Sequence, residues 1–158
     1  MRHIPSLGAT DEEIIDFFKH PIRGISLSPL EGNRAFEALI CTESGSKLSI
    51  FSNITEISDL DEIGVISISL SEKGDLENFI ILPDDCRIVT SIHKMIGDFS
   101  SDESCECGII IETSGGIISF FSGAFPASLN VICPGFNQGL RVTSFQKFKY
   151  HLKPLKVY

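Results

Sequence analysis

One phrase is written twice in this chain, and it restricts the available folds more than any other feature. "ALICTESGSKLSIFSN" fills positions 38–53 and "GIIIETSGGIISFFSG" fills 108–123. At an offset of 70, six of the 16 aligned pairs are identical: Ile40/Ile110, Ser44/Ser114, Gly45/Gly115, Ser49/Ser119, Phe51/Phe121 and Ser52/Ser122. Most other pairs keep apolar opposite apolar, as in Leu39/Ile109, Cys41/Ile111, Leu48/Ile118 and Ile50/Phe120. Each copy is two short runs of Ile, Phe, Leu and Ser about a Ser-Gly turn, the pattern of a half-buried β-hairpin. Each also follows a strand-like run, "IRGISLS" at 22–28 and "CRIVTSI" at 86–92. A lone hairpin cannot bury its apolar face. The repeat therefore predicts one domain over 1–158, with pseudo-repeat units at about 22–82 and 86–133 that pack on each other. Internal duplication and convergence of two similar hairpins both account for it.

Further strands are expected at 35–43, 47–53, 63–70, 77–82, 86–96 and 127–133, where β-branched and aromatic residues alternate with Ser or run together between Gly, Pro and Asp signals. Near the start, "TDEEIIDFFK" (10–19) reads as a short helix. Thr10 and Glu13 make a capping box, three acids sit in the first turn, and Pro21 ends it. Near the end, Phe145, Phe148 and Leu152 fall at helical spacing in "TSFQKFKYHLKPL", with Pro154 as the stop, although the same residues also alternate as a strand would. The expected class is α+β, mostly β, with antiparallel strands and a short helix near each terminus.

The net charge of -8 is unevenly laid out. Residues 31–112 carry a net of -12, whereas 113–158 hold five Lys/Arg and no acid. The acids cluster around 59–62, in "SEKGDLE" (71–77), in "PDD" (83–85) and in "GDFSSDESCE" (97–106), all turn-like stretches. Gathered at one rim of a sheet, such loops would repel nucleic acid and attract a basic protein; dispersed, they would only keep the chain soluble. The basic tail offers Arg141, Lys147 and Lys149 among Phe145, Phe148 and Tyr150, but the summed field opposes a polyanion, and the Lys side chains read as a wet face or as partners for the chain's own acids.

No chemistry announces itself. The phosphate loop, the zinc-protease helix motif and the nucleophile elbow are absent. His3, His20, His93 and His151 are scattered. The five cysteines, Cys41, Cys86, Cys105, Cys107 and Cys133, lack zinc-ligand spacing; Cys105 and Cys107 would share one face of a strand, and all read as structural thiols. "DLDEIG" lacks the spacing of a calcium loop. No cofactor or metal is expected. An odd cysteine count, no secretory leader and no long apolar run lead to the expectation of a cytoplasmic protein that does not enter a membrane.

Small, acidic, strand-rich chains without catalytic motifs resemble the immunity proteins of bacterial polymorphic and contact-dependent toxin systems. The resemblance lies in this general character and in "GIIIETSGGIISFFSGAFPASLNV" (108–131), where a two-strand turn leads through a Pro-containing link to another strand. It implies a non-catalytic protein that masks a basic toxin domain, often a nuclease. From the charge layout, the candidate partner-binding residues are Asp59, Asp61, Glu62, Asp98, Asp102 and Glu103, with Phe99 as a candidate anchor that also reads as core. The alternative is a small enzyme built on a Cys/His or carboxylate pocket; a third reading is a scaffold.

Overall fold

The fold was analysed as a computed structural model that describes residues 2–31, 34–56, 62–76, 78–122, 128–135 and 149–158, with side chains except at 29–31 and 34. The chain opens with β1 (Arg2–Ile4), β2 (Leu7–Gly8) and helix α1 (Asp11–Phe17). Then come β3 (Ile22–Glu31), β4 (Arg34–Thr42), β5 (Lys47–Glu56), β6 (Glu62–Ser71) and β7 (Asn78–Ile81). A single 3-10 turn at Asp84–Cys86 leads to β8 (Val89–Asp98), β9 (Glu103–Thr113), β10 (Gly116–Ser122), β11 (Leu129–Ile132) and β12 (Lys149–Val157). The chain is mostly β, and the strands expected from alternation are present.

Helix α1 forms as its sequence dictates. The Thr10 hydroxyl accepts from the Glu13 N–H (3.2 Å), and the Glu13 carboxylate accepts from the Thr10 N–H (3.1 Å), so the capping box closes. Ile14 and Phe17 face inward.

The sheet curls until its ladders form a circuit. β4 pairs with β5, β5 with β6, β9 with β10, β10 with β11, and β11 returns to β4, all antiparallel. The first residues of the chain close the remaining seam. β2 lies parallel to β6, with Leu7 opposite Ser67, and β1 lies parallel to β9, with Arg2 opposite Glu103. Outside the circuit, β3 joins β4 to β7, and β8 joins β9 to β12. Inside the curl lies the main core. It includes Ile25, Leu27, Ala38, Ile40, Leu48, Ile50, Ile66, Ile68, Ile109, Ile111, Ile118, Phe120, Leu129 and Val131, with Ile14, Phe17 and Phe18 from the helix end. A smaller cluster forms separately from Ile63, Val65, Met95, Cys105, Cys107, Phe121 and Ile132.

The two hairpins are alike, with one difference. In their second strands the core residues keep the offset of 70, as Leu48/Ile118 and Ile50/Phe120. In their first strands the core residues are Ala38 and Ile40 against Ile109 and Ile111, an offset of 71. The first turn is therefore one residue longer, and the ungapped match of Cys41 to Ile111 pairs opposite faces of a strand. Both turns are braced the same way. Thr42 Oγ1 accepts from the Ser46 N–H (3.0 Å) and donates to Ser46 O (3.2 Å). Thr113 Oγ1 accepts from the Gly116 N–H (3.2 Å) and donates to Gly116 O (2.6 Å). At the far ends of the hairpins the equivalent hydroxyls of Ser52 and Ser122 meet at 2.7 Å inside the protein.

The tail corrects one expectation. Residues 143–148 lie outside the described residues, but 149–152 are strand and not the end of a helix. Pairing with the edge of β8 outweighs a weak helical spacing. Pro154 sits where the ladder shifts, between Pro154/His93 and Lys156/Ile92, on the strand at the end of the sheet, a position that tolerates a missing N–H.

Candidate functional site

Strand directions sort the charged loops into two ends. β6 and β9 begin side by side, since the Cys105 thiol donates to Gly64 O at 3.8 Å. Glu62 and the 98–103 connection therefore share one end of the curl. β6 finishes at the other end, beside the β4–β5 turn, and the 82–88 stretch joins it there: the Ile22 N–H donates to Arg87 O (2.8 Å) and the Gly115 N–H to Asp85 O (2.9 Å). The four acidic stretches consequently do not form one rim. Those at 71–76 and 83–85 lie opposite those at 62 and at 97–103.

Every described residue of the expected docking set falls at the first end; Asp59 and Asp61 lie outside the described residues. Glu62 is exposed and stands across the β5–β6 ladder from Glu56. Asp98 and Glu103 are not loop residues: Asp98 ends β8 and Glu103 begins β9. Asp98 is half-buried, stands opposite Lys149 and holds His151 Nδ1 at 2.6 Å. Asp102 is exposed, and its carbonyl accepts from the Arg2 N–H at 2.6 Å. Glu103 Oε2 is 3.6 Å from the Arg2 guanidinium. Phe99 is half-buried and packs against the smaller apolar cluster. Two of these acids thus already engage side chains of the same chain: Glu103 the Arg2 guanidinium, and Asp98 the His151 imidazole from the C-terminal strand.

The opposite end is mixed in sign. Asp75 lies 3.6 Å from Arg23 and 3.8 Å from Lys47, and Arg87 reaches both Glu43 (3.5 Å) and Asp84 (3.6 Å). Two open depressions of about 670 and 620 Å³ lie there and share Leu70, Ser71 and Glu72; neither is lined by His or Cys.

All five cysteines are free and buried. Burial pushes the Cys41 and Cys86 thiols up and the Cys133 thiol up to about 12. Cys107 rises well above the ordinary range through its hydrogen bond with Cys105 and through burial. Such thiols are kept protonated, the reverse of what a nucleophile requires. Among the described residues, no three His, Cys, Asp or Glu side chains are grouped to hold a metal ion, and no helix is long and apolar enough to cross a membrane.

One buried group escaped the sequence reading. Lys94, 2% exposed, donates to Asp11 (2.6 Å), Glu106 (2.9 Å) and Ser6 Oγ (3.0 Å). Glu106 is no loop acid: it is 4% exposed and also accepts from the Ser6 N–H and hydroxyl, both at 3.0 Å. Burial alone would raise the Glu106 pKa; the Ser6 N–H and Lys94 outweigh it and hold the carboxyl below its ordinary value. The signal was in the sequence: Lys94 is in phase with Ile92 on an apolar strand face, where a charge needs a buried partner. The irregularity of the β8–β9 ladder between Met95 and Ile96 brings Ile96 opposite Glu106, near Lys94 on the same two strands.

Comparison with protein-family models, with curated proteins and with solved structures finds no match.

Proposed function

We propose that this chain is a non-catalytic binding protein that docks a cationic protein domain on its acidic end, as an immunity protein covers a basic toxin domain such as a nuclease. The reading is carried by one observation: Glu62 and the 98–103 connection with Asp98, Asp102 and Glu103, from two separate parts of the sequence, come to the end where β6 and β9 begin side by side. A concentrated negative end steers a basic partner and raises its association rate. Arg2 at Glu103 and His151 at Asp98 occupy positions that a partner's Lys or Arg would compete for. Apolar anchoring would come from the exposed side chains nearby, among them Ile54 and Tyr150. The enzyme alternative draws no support from Cys41, Cys86 and Cys133, whose thiols burial keeps protonated.

The reading predicts a neighbouring gene for a protein with a toxic domain, and the test is co-expression with that domain. Rescue of growth is expected, with a complex whose association slows as salt rises. Reversing Asp98, Asp102 and Glu103 together to Lys should slow association by at least about tenfold and leave the fold intact by circular dichroism. The same reversal at Asp59, Asp61 and Glu62 tests the other half of the end. No rescue, or rescue by a complex indifferent to both reversals, removes this reading.

A further inference from the structure

We propose that residues 2–8 are a strap that acid releases from an otherwise intact fold. The strap bridges the seam between β6 and β9, and its backbone hold is brief. Three positions pair with β9, two pair with β6, and two further bonds run from the Arg2 N–H to Asp102 O and from the Ala9 N–H to Ile68 O, both at 2.6 Å. Its apolar hold is small: Ile4 packs on the smaller cluster and Ala9 on the main core, while Leu7 is 51% exposed. Attachment therefore rests heavily on the polar node around Glu106.

That node has few members, and each has a place. Glu106 Oε1 accepts from the Ser6 N–H, from the Ser6 hydroxyl and from Lys94. Lys94, from β8, gives its remaining protons to Ser6 Oγ and to Asp11 of α1. His3, from β1, places Nε2 3.8 Å from Glu106 Oε2 while Nδ1 meets Ser104 Oγ at 2.8 Å. At the tip, Arg2 faces Glu103. When Glu106 takes a proton, Ser6 loses an anionic acceptor, and Lys94 stays buried with Asp11 as its one remaining carboxylate in this node. An uncompensated buried charge is costly, and detaching the strap lets water reach Lys94.

The direction follows from linkage. Glu106 is held below its ordinary pKa, so its contribution is fully present above the ordinary carboxylate range and is lost as pH falls through the lowered value. A protonated His3 adds a cation beside Glu106 and opposes release until Glu106 itself is protonated. Neutralising Asp11 acts with Glu106, because it removes the second acceptor of Lys94. The main core needs none of these groups, so the curl persists after the strap leaves. This device does not depend on what docks at the acidic end.

The experiment is NMR of the isotopically labelled full chain, reading the amide signals of residues 2–4 and 6–8 against those of Ile50 and Phe120 as pH is lowered. The strap signals should move to unstructured positions while the core signals stay native. Glu106→Gln should show the released strap already at neutral pH, with an open population raised about a hundredfold. Replacing the charge pair by apolar residues, Lys94→Met with Glu106→Leu, should blunt the acid response. Strap and core signals lost together in the wild-type titration would overturn the proposal, and that titration decides even if a variant fails to fold. An unreleased strap in a folded Glu106→Gln protein would overturn it equally.

Discussion

Gly64 sits where a side chain has no room. A Cβ there would lie 2.5 Å from Ser122 Cβ and 2.6 Å from the hydroxyls of both Ser52 and Ser122. The two hydroxyls bond to each other inside the protein, so neither can withdraw without giving up a buried hydrogen bond. Gly64→Ala should lower stability by about 1–3 kcal/mol through overpacking, read as a fall in Tm. Phe120→Ala, which empties a fully buried position of the main core, should cost about 3–5 kcal/mol in denaturant unfolding. The cysteines make a third measurable case. Ellman's reagent should find no fast thiol in the native protein and all five after denaturation. Legibility at this scale was uneven. That Cys105 and Cys107 share a face was readable from strand period alone, because the period needs only local information. Glu106, between the same two cysteines, was misread as a loop acid, because its partner is 12 residues away across a ladder whose irregularity no local pattern reveals.

At the scale of elements, the two braced turns set the hairpin registers. Thr42 and Thr113 each satisfy both the N–H and the C=O of the residue that closes the turn. Thr42→Val or Thr113→Val should cost about 1–2 kcal/mol each in denaturant unfolding, with similar values for the two sites if the turns are energetically equivalent. Strands such as β5, β6 and β10 were legible because runs of β-branched and aromatic residues with Ser are bounded by turn signals, although in β6 and β10 burial extends over both faces. β1 and β2 were not: three and two residues carry no period, and their pairing depends on seams built by distant strands. The tail failed for a related reason. Phe, Lys and Tyr at 145–150 satisfy two periods at once, and only the open edge of β8 selects strand for residues 149–157. On β12, Lys149, Lys153 and Lys156 are exposed together with Pro154, a composition that discourages one sheet edge from adding to another.

Across the whole molecule, charge is sorted by end. One end holds Glu56, Glu62, Asp98, Asp102 and Glu103 with Arg2, Lys149 and His151 among them; the other interleaves Asp75, Asp84 and Glu43 with Arg23, Lys47 and Arg87. The convergence was not in the sequence, since it depends on which strands lie side by side. The docking set drawn from 59–62 and 98–103 left out the other two acidic stretches, but no local pattern says which stretches share an end. Exposed pairs such as Asp16–Lys19 and Glu37–Lys73 contribute little each, so raising salt should slow association with a basic partner far more than it lowers the Tm of the isolated protein.

The closing of the seam by β1 and β2 orders events during synthesis. Arg2 is synthesised before its ladder partner Glu103, which is made some hundred residues later. Until then β1 has no strand to pair with, although β6, the partner of β2, is already made. Such long-range closure falls to the final stage of folding, after the locally connected hairpins have formed.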